Sequence, residues 1–317
     1  MDAIAVSHLS KRFGSLEAVK GIDFTVPPGE LFGFLGPNGA GKTTTINMLC
    51  TLLKPTSGEA RVAGHSVSRE RDAVRRAIGI VFQDPSLDDR LTALENLRFH
   101  AWIYGVPPSE IAPRIERALE LVELSDRRDD LVKTYSGGMK RRLEIARSML
   151  HTPRVLFLDE PTIGLDPQTR ARIWDFLRGL QREGTTLFLT THYLDEAEVC
   201  DRIAIIDHGE IVALDTPANL KARIGGDTVV LETEDNERAI QELKEAFGIE
   251  AAPDEPCFQF SVERGKTFLP QLFRRLSVPV KQVSVRGPSL DDVFLKLTGR
   301  AIRAEAPEPP RLRRRRR

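Results

Sequence analysis

The stretch "ELFGFLGPNGAGKTTTINMLC" limits the fold of this 317-residue chain more than any other. A short apolar run, Leu31 to Leu35, enters a glycine-rich turn, and the turn enters a helix. Gly36, Pro37, Asn38, Gly39, Ala40, Gly41, Lys42 and Thr43 fit the pattern G-x-x-x-x-G-K-[ST], with Thr44 next in the helix. Glycines allow a loop to wrap tightly, so that several backbone N–H groups converge on phosphate oxygens. The helix behind the loop points its positive end at the same anion. Lys42 supplies a charge for the outer phosphates, and the Thr43 hydroxyl is a candidate Mg²⁺ ligand. A glycine turn that matches by chance would lack this strand–loop–helix context.

A second apolar run, "RVLFLDEP", ends on Asp159 and Glu160. Asp159 is placed to hold Mg²⁺, usually through water. Glu160, on a nearby trajectory, is placed to orient or deprotonate an attacking water. The bland alternative is a pair of strand-end acids capping the next helix. "TTLFLTTH" is a third continuous apolar run of strand length, which suits a buried parallel sheet. "RARIWDFLRGLQREG" is the crossover helix between the last two. "AIAVSHL" and "GIDFTV" alternate as antiparallel strands do, and residues 59 to 64 and 78 to 82 are further strands. From Leu91 to Ser125 the pattern is helical, interrupted by "VPPSE". The expectation is a P-loop α/β domain over residues 1–220, with a helical insertion at about 85–152.

After Leu220 the composition changes. Three strands and three helices over residues 226–299 suggest a small α+β accessory domain, with Ser289 and Asp292 spaced as a capping box. It carries no catalytic constellation, so packing or dimer stabilisation is its plain role. Residues 300–317, Pro-rich and then "RLRRRRR", are expected to be a disordered tail.

Net charge is zero, so the chain outside the arginine block is mildly acidic. Cys50, Cys200 and Cys257 lie far apart with no CxxC, against a disulfide framework or zinc site and in favour of a reducing compartment. No signal-peptide pattern opens the sequence, and no apolar run approaches the ~18 residues of a spanning helix. Any membrane role therefore needs a partner.

Taken in order, the motifs resemble those of the nucleotide-binding subunit of ABC transporters, over roughly residues 3–220. Besides Gly36–Thr43 and Asp159/Glu160, "VFQDPSLDD" carries Gln83 at the Q-loop position. "YSGGMKRR" matches the signature motif, "GLDP" the D-loop with Asp166, and "THYLDEAE" the H-loop with His192. Phe13 sits where the family has an adenine-stacking aromatic. The resemblance implies a RecA-like core with an antiparallel β subdomain and a helical insertion, binding ATP and Mg²⁺. It implies that Gln83 joins Thr43 and Asp159 at the metal. It also implies that Lys42, Glu160, Gln83 and His192 serve hydrolysis, with His192 reading the γ-phosphate. Gln83, His192 and Phe13 each have a plainer alternative: a surface glutamine, a capping or core histidine, a core phenylalanine.

The signature departs from the commonest form, Leu-Ser-Gly-Gly-Gln, because Tyr135 and Met139 replace the outer pair. Ser136, Gly137 and Gly138 remain, and these can reach a phosphate. The role usually assigned to the Gln is thereby in doubt. "YSGGM", "THYLDEAE" and "LDDVFLKLTG" together look like the drug-exporter subgroup typified by daunorubicin-resistance ATPases.

A second anion site about ninety residues from the P-loop makes sense as half a site that completes a partner's pocket. Two subunits would pair head-to-tail, each ATP lying between Lys42 of one and Ser136 of the other. Lys140, Arg141 and Arg142 are then the solvated face of the signature helix. The implied function is ATP hydrolysis that powers export of a small hydrophobic, drug-like or lipid-like compound. The compound would pass through a separate transmembrane permease, with this chain peripheral on the cytoplasmic face. A soluble ABC-type ATPase is the alternative. Repair types carry long coiled coils, for which the roughly fifty residues between Gln83 and Ser136 leave no room. Translation types usually carry two cassettes. A stand-alone kinase or GTPase would have no use for a signature. Without aromatics among its arginines, the tail does not point to nucleic acid. Weak attraction to anionic lipid is the competing reading of that tail.

Overall fold

A computed structural model describes residues 1–83, 86–254 and 256–299, which divide into two compact units between Thr216 and Pro217. The first unit is built on a six-stranded sheet. Its strands are β3 (Leu31–Leu35), β6 (Ile78–Val81), β7 (Val155–Asp159), β8 (Thr186–Thr191), β9 (Arg202–Asp207) and β10 (Glu210–Asp215), in the order β10-β9-β3-β8-β7-β6. Every residue of β3, β7 and β8 is buried, as their unbroken apolar runs require of a sheet covered on both faces. These three are parallel neighbours, and their ends are level: Leu35 pairs with Thr191, and Asp159 with Thr190. That register brings the glycine loop, the acidic pair and His192 out of the sheet side by side.

A second, antiparallel sheet contains β1 (Ile4–Phe13), β2 (Leu16–Val26), β4 (Ser57–Val62) and β5 (His65–Ser66), in the order β2-β1-β4-β5. Five phenylalanines fasten it to the first. Phe24 of β2 lies 5.6 Å from Phe32 and 6.0 Å from Phe188, and Phe34 and Phe157 complete the group around Phe188. Helices α1 (Lys42–Leu49) and α2 (Arg71–Ala77) flank the sheets.

The helical lobe contains α3 (Ala93–Ile103), α4 (Pro108–Leu121) and α5 (Gly137–Met149), which agrees with a helical insertion in that region. It has its own core, including Leu97, Ile115, Leu119, Val132, Tyr135 and Leu143. Thr92 and Glu95 form a reciprocal capping box at the start of α3. Two further helices, α6 (Pro167–Arg182) and α7 (Leu194–Glu198), follow β7 and β8.

The second unit runs α8 (Pro217–Ile224), β11 (Asp227–Thr233), α9 (Asn236–Phe247), β12 (Ala252–Asp254), β13 (Cys257–Val262), α10 (Gly265–Arg275), β14 (Val280–Arg286), α11 (Leu290–Thr298). Its sheet is antiparallel, ordered β12-β13-β11-β14. The capping box at Ser289 and Asp292 is present. Two features differ from the sequence expectation. The unit begins at Pro217 rather than beyond Leu220, because α8 packs against α11 and Lys296 donates to the Ile224 carbonyl at 3.2 Å. A fourth strand, β12, is three exposed residues including Pro253, too short to show apolar alternation. The expected basic tail, 300–317, lies outside the described residues.

Candidate nucleotide site

The loop after β3 has little freedom to change. A Cβ on Gly36 would stand 2.3 Å from the Ile206 carbonyl oxygen, so only glycine fits there. Gly41, the N-cap of α1, has φ +110, and a Cβ on it would meet the Ala18 carbonyl oxygen at 2.7 Å. The turn after β9 holds the loop from the other side: the Gly209 N–H donates to the Ala40 carbonyl at 3.0 Å. Asn38, Gly39 and Thr43 are exposed, Pro37 and Thr44 half-buried. The Lys42 ammonium, 5% exposed, turns back on the loop and donates to the Gly36 carbonyl at 2.7 Å and the Pro37 carbonyl at 3.1 Å.

Three side chains converge on Glu160. Lys42 Nζ lies 3.6 Å from Oε1, and His192 Nδ1 3.1 Å from the same oxygen. Gln83 Nε2 donates to Oε2 at 3.4 Å. Burial alone would raise the Glu160 carboxyl; the His192 hydrogen bond and the Lys42 charge outweigh it and hold the group below the usual carboxylate range. Burial lowers Lys42 in turn, opposed by the charges of Glu160 and Asp159. Glu160 also has φ +47, a left-handed backbone that costs a glutamate roughly 1–3 kcal/mol. Its N–H is held by Thr190, through both the carbonyl and the hydroxyl at 3.2 Å. The Thr190 hydroxyl donates to Asp159 as well.

Thr43 Oγ1 lies 3.5 Å from Asp159 Oδ1. A hydroxyl and a carboxylate at the mouth of the loop, with the Gln83 amide in the same group, are the hard oxygen donors that Mg²⁺ takes. Among the described residues no three His, Cys, Asp or Glu side chains form a metal cage. Mg²⁺ at nucleotide sites is usually held by one or two protein oxygens plus phosphates, so this sparse donor set fits.

Ser136 belongs to the helical lobe. It is the exposed N-cap of α5, its hydroxyl accepting from the Met139 N–H at 3.3 Å, which leaves the hydroxyl proton free to donate. Gly137 is exposed, and Gly138 faces α6, where a Cβ would stand 2.5 Å from Thr169 Cγ2. Asp166 caps α6 through the Thr169 N–H at 3.0 Å, with Pro167 at the first helical position. Phe13 ends β1 at the tip of the hairpin. It is 47% exposed, with Lys11 Nζ 5.1 Å above its ring, so it is not a core residue.

Arg141 overturns one expectation. It is 7% exposed, not part of a solvated face, and its guanidinium donates to the carbonyls of Phe82, Asp159, Glu160 and Pro161. Lys140 and Arg142 also have partners: Asp89 at 2.7 Å and the Val122 carbonyl at 2.8 Å. A buried carboxylate, Glu196, likewise escaped the sequence reading. It accepts from the Thr162 and Thr191 hydroxyls, joining the turn after Glu160 to the turn before His192. Burial raises its carboxyl, against the Thr191 hydrogen bond. The one sequence signal for either residue is its place inside a motif, three or four residues from a recognised group.

The chain is similar to known proteins along most of its length. Residues 19–163 match the family described as ABC transporter, and residues 216–298 the family described as ATP-binding protein DrrA1-3-like, C-terminal domain. The daunorubicin/doxorubicin resistance ATP-binding protein DrrA of Streptomyces peucetius is 46% identical over 94% of this chain and 92% of its own length. The linearmycin resistance ATP-binding protein LnrL of Bacillus subtilis (strain 168) is 38% identical over 95% of this chain and 99% of its own. An ATP-binding cassette solved as a dimer in a post-hydrolysis state with ADP and Pi superposes with a TM-score of 0.61 at 29% identity. That match covers 67% of this chain and 98% of the other.

Proposed function

The chain belongs to the ABC transporter family, and from that membership we propose that it is the ATP-hydrolysing subunit of an exporter. Its relatives are named as resistance ATP-binding proteins. By that likeness the cargo is a small hydrophobic, drug-like or lipid-like compound. No helix among the described residues is long and apolar enough to cross a membrane. By likeness to the ABC transporter family, the path for the cargo belongs to a separate permease, with this subunit peripheral on the cytoplasmic face.

The observation that carries the reading is the convergence of Lys42, Gln83 and His192 on Glu160 beside the glycine loop. Lys42 is held by loop carbonyls and by Glu160. An incoming γ-phosphate competes for the ammonium and draws it off the carboxylate. Glu160 then loses a neighbouring cation, its basicity rises, and it orients and accepts a proton from the attacking water. His192 keeps its hydrogen bond to Glu160 and fixes its direction. Thr43, Asp159 and Gln83 would hold Mg²⁺, which when bound neutralises charge on the phosphates. Phe13 would stack on adenine.

Ser136 and Gly137, exposed at the start of α5, would complete the ATP site of a second copy. The dimeric cassette solved with ADP and Pi supports that arrangement. A cavity of about 680 Å³ lined by Leu52, Ile80, Ile103, Tyr104 and Phe82, the residue before Gln83 in sequence, would receive the permease. ATP hydrolysis measured with and without membranes containing the permease tests the reading. Stimulation by the permease is expected; a rate indifferent to it would favour a soluble ATPase instead.

A further inference from the structure

Arg141 sits five residues into the signature segment, on the second turn of α5. Its guanidinium has five N–H groups, and five acceptors take them. Nε donates to the Pro161 carbonyl at 2.7 Å. Nη2 donates to the Asp159 and Glu160 carbonyls at 3.1 and 3.2 Å. Nη1 donates to the Phe82 carbonyl and to Glu144 Oε2, the latter at 3.4 Å. Three successive carbonyls, from Asp159 to Pro161, thus point at one cation. They belong to the turn in which Glu160 takes its left-handed backbone. Glu144 in turn accepts from the Ser86 N–H at 2.7 Å, and Arg147 donates to the Ser86 carbonyl at 2.8 Å. One face of α5 therefore grips the Q-loop on both sides of Gln83 and the backbone beneath Glu160. The same helix is capped by Ser136.

We propose that Arg141 is a positioning residue for hydrolysis: it fixes the turn that aims Glu160 and binds that turn to the Q-loop and the signature helix as one block. A fully hydrogen-bonded, planar cation is needed because the turn directs three carbonyls to one point, two of them onto a single nitrogen. An ammonium has three N–H groups and no fixed fork, so lysine cannot replace it. The block links the permease-facing Q-loop to the catalytic carboxylate without a change in nucleotide contacts. Arg141 itself touches neither the glycine loop nor Lys42. The inference rests on Glu160 acting as the base, as proposed above.

The test is a double-mutant cycle in the full chain. Arg141→Lys is expected to lower kcat about 10- to 100-fold, the cost of a catalytic group displaced by about 1 Å. Its Kd for ATP, by calorimetry, should stay within about twofold of the parent. Added to Glu160→Gln, it should lower single-turnover hydrolysis no further, because it acts through that carboxylate. An unchanged kcat, a weakened Kd that accounts for the loss, or a fully additive loss in the double variant would each overturn the proposal. If Arg141→Lys does not fold, Glu144→Gln replaces it. That change removes the charge that holds Nη1 and keeps an oxygen for the Ser86 N–H, so the same non-additivity is expected at smaller amplitude. A Glu160→Gln variant that turns over like the parent overturns the base assignment and this inference together. A normal Glu160→Gln loss with a silent Arg141→Lys overturns this inference alone.

Discussion

His192 Nδ1 lies 3.1 Å from Glu160 Oε1, although thirty-two residues separate them in sequence. The two strands that end beside each other, β7 and β8, make that contact unavoidable. It makes His192 a partner of the base as well as a candidate reader of the γ-phosphate. His192→Ala is expected to leave ATP binding intact and to lower kcat about 10²-fold, in the range of a misplaced general base. With that hydrogen bond gone, the strongest influence that lowers the Glu160 carboxyl is lost and the carboxyl rises. The acid limb of the kcat–pH profile should therefore move to higher pH. A profile that falls in amplitude without moving would refute the contact's role.

The same pair predicts the acid stability of the nucleotide-free protein. Glu160 is held below the unfolded carboxylate value of about 4.3. A carboxylate with a lowered folded value contributes stability above the unfolded value and loses it as pH falls through the folded one. Between those two pH values the melting temperature of the parent should fall faster than that of Glu160→Gln. Above pH ~5 the two curves should run parallel. Parallel curves throughout would contradict the account.

Phe13 is exposed, so truncating it should leave the fold intact. Stacking on a base is worth about 1–3 kcal/mol. Phe13→Ala should weaken ATP binding by roughly 5- to 150-fold and leave binding of inorganic triphosphate unchanged. Equal loss for both ligands would mean the residue supports the loop rather than the adenine.

The arginine block at 313–317 gives a separate expectation. Near an anionic surface each cation gains about 1 kcal/mol, screened by salt. Deleting residues 307–317 should lower binding to phosphatidylserine liposomes at low ionic strength and have little effect at high. Unchanged binding at low salt would reduce the tail to a solubilising segment.

The glycine loop, the acidic pair and the order of motifs were legible because each is a local pattern with one physical purpose. Ser289 and Asp292 were legible for the same reason, since a capping box needs four consecutive residues. Arg141 was not. In sequence it is the middle of three cations, and a run of cations ordinarily faces water. What buries it is carbonyls from residues 82 and 159–161, which only the packing of α5 against β6 and the turn that leaves β7 brings together. Glu196 was hidden for a like reason: its two hydroxyl partners come from the turn after Glu160 and from the end of β8. The boundary after Thr216 depended on α8 packing against α11, a contact across the whole accessory unit.

The claim that each ATP is shared between two chains is tested most directly by sedimentation of Glu160→Gln with and without ATP. Hydrolysis is blocked in that variant, so ATP-bound closure should persist. The account predicts a monomer without nucleotide, a dimer with ATP, and a return to monomer when Ser136→Arg is added, with ATP still bound. A monomer in saturating ATP, or a dimer that forms equally well with Ser136→Arg, would contradict it.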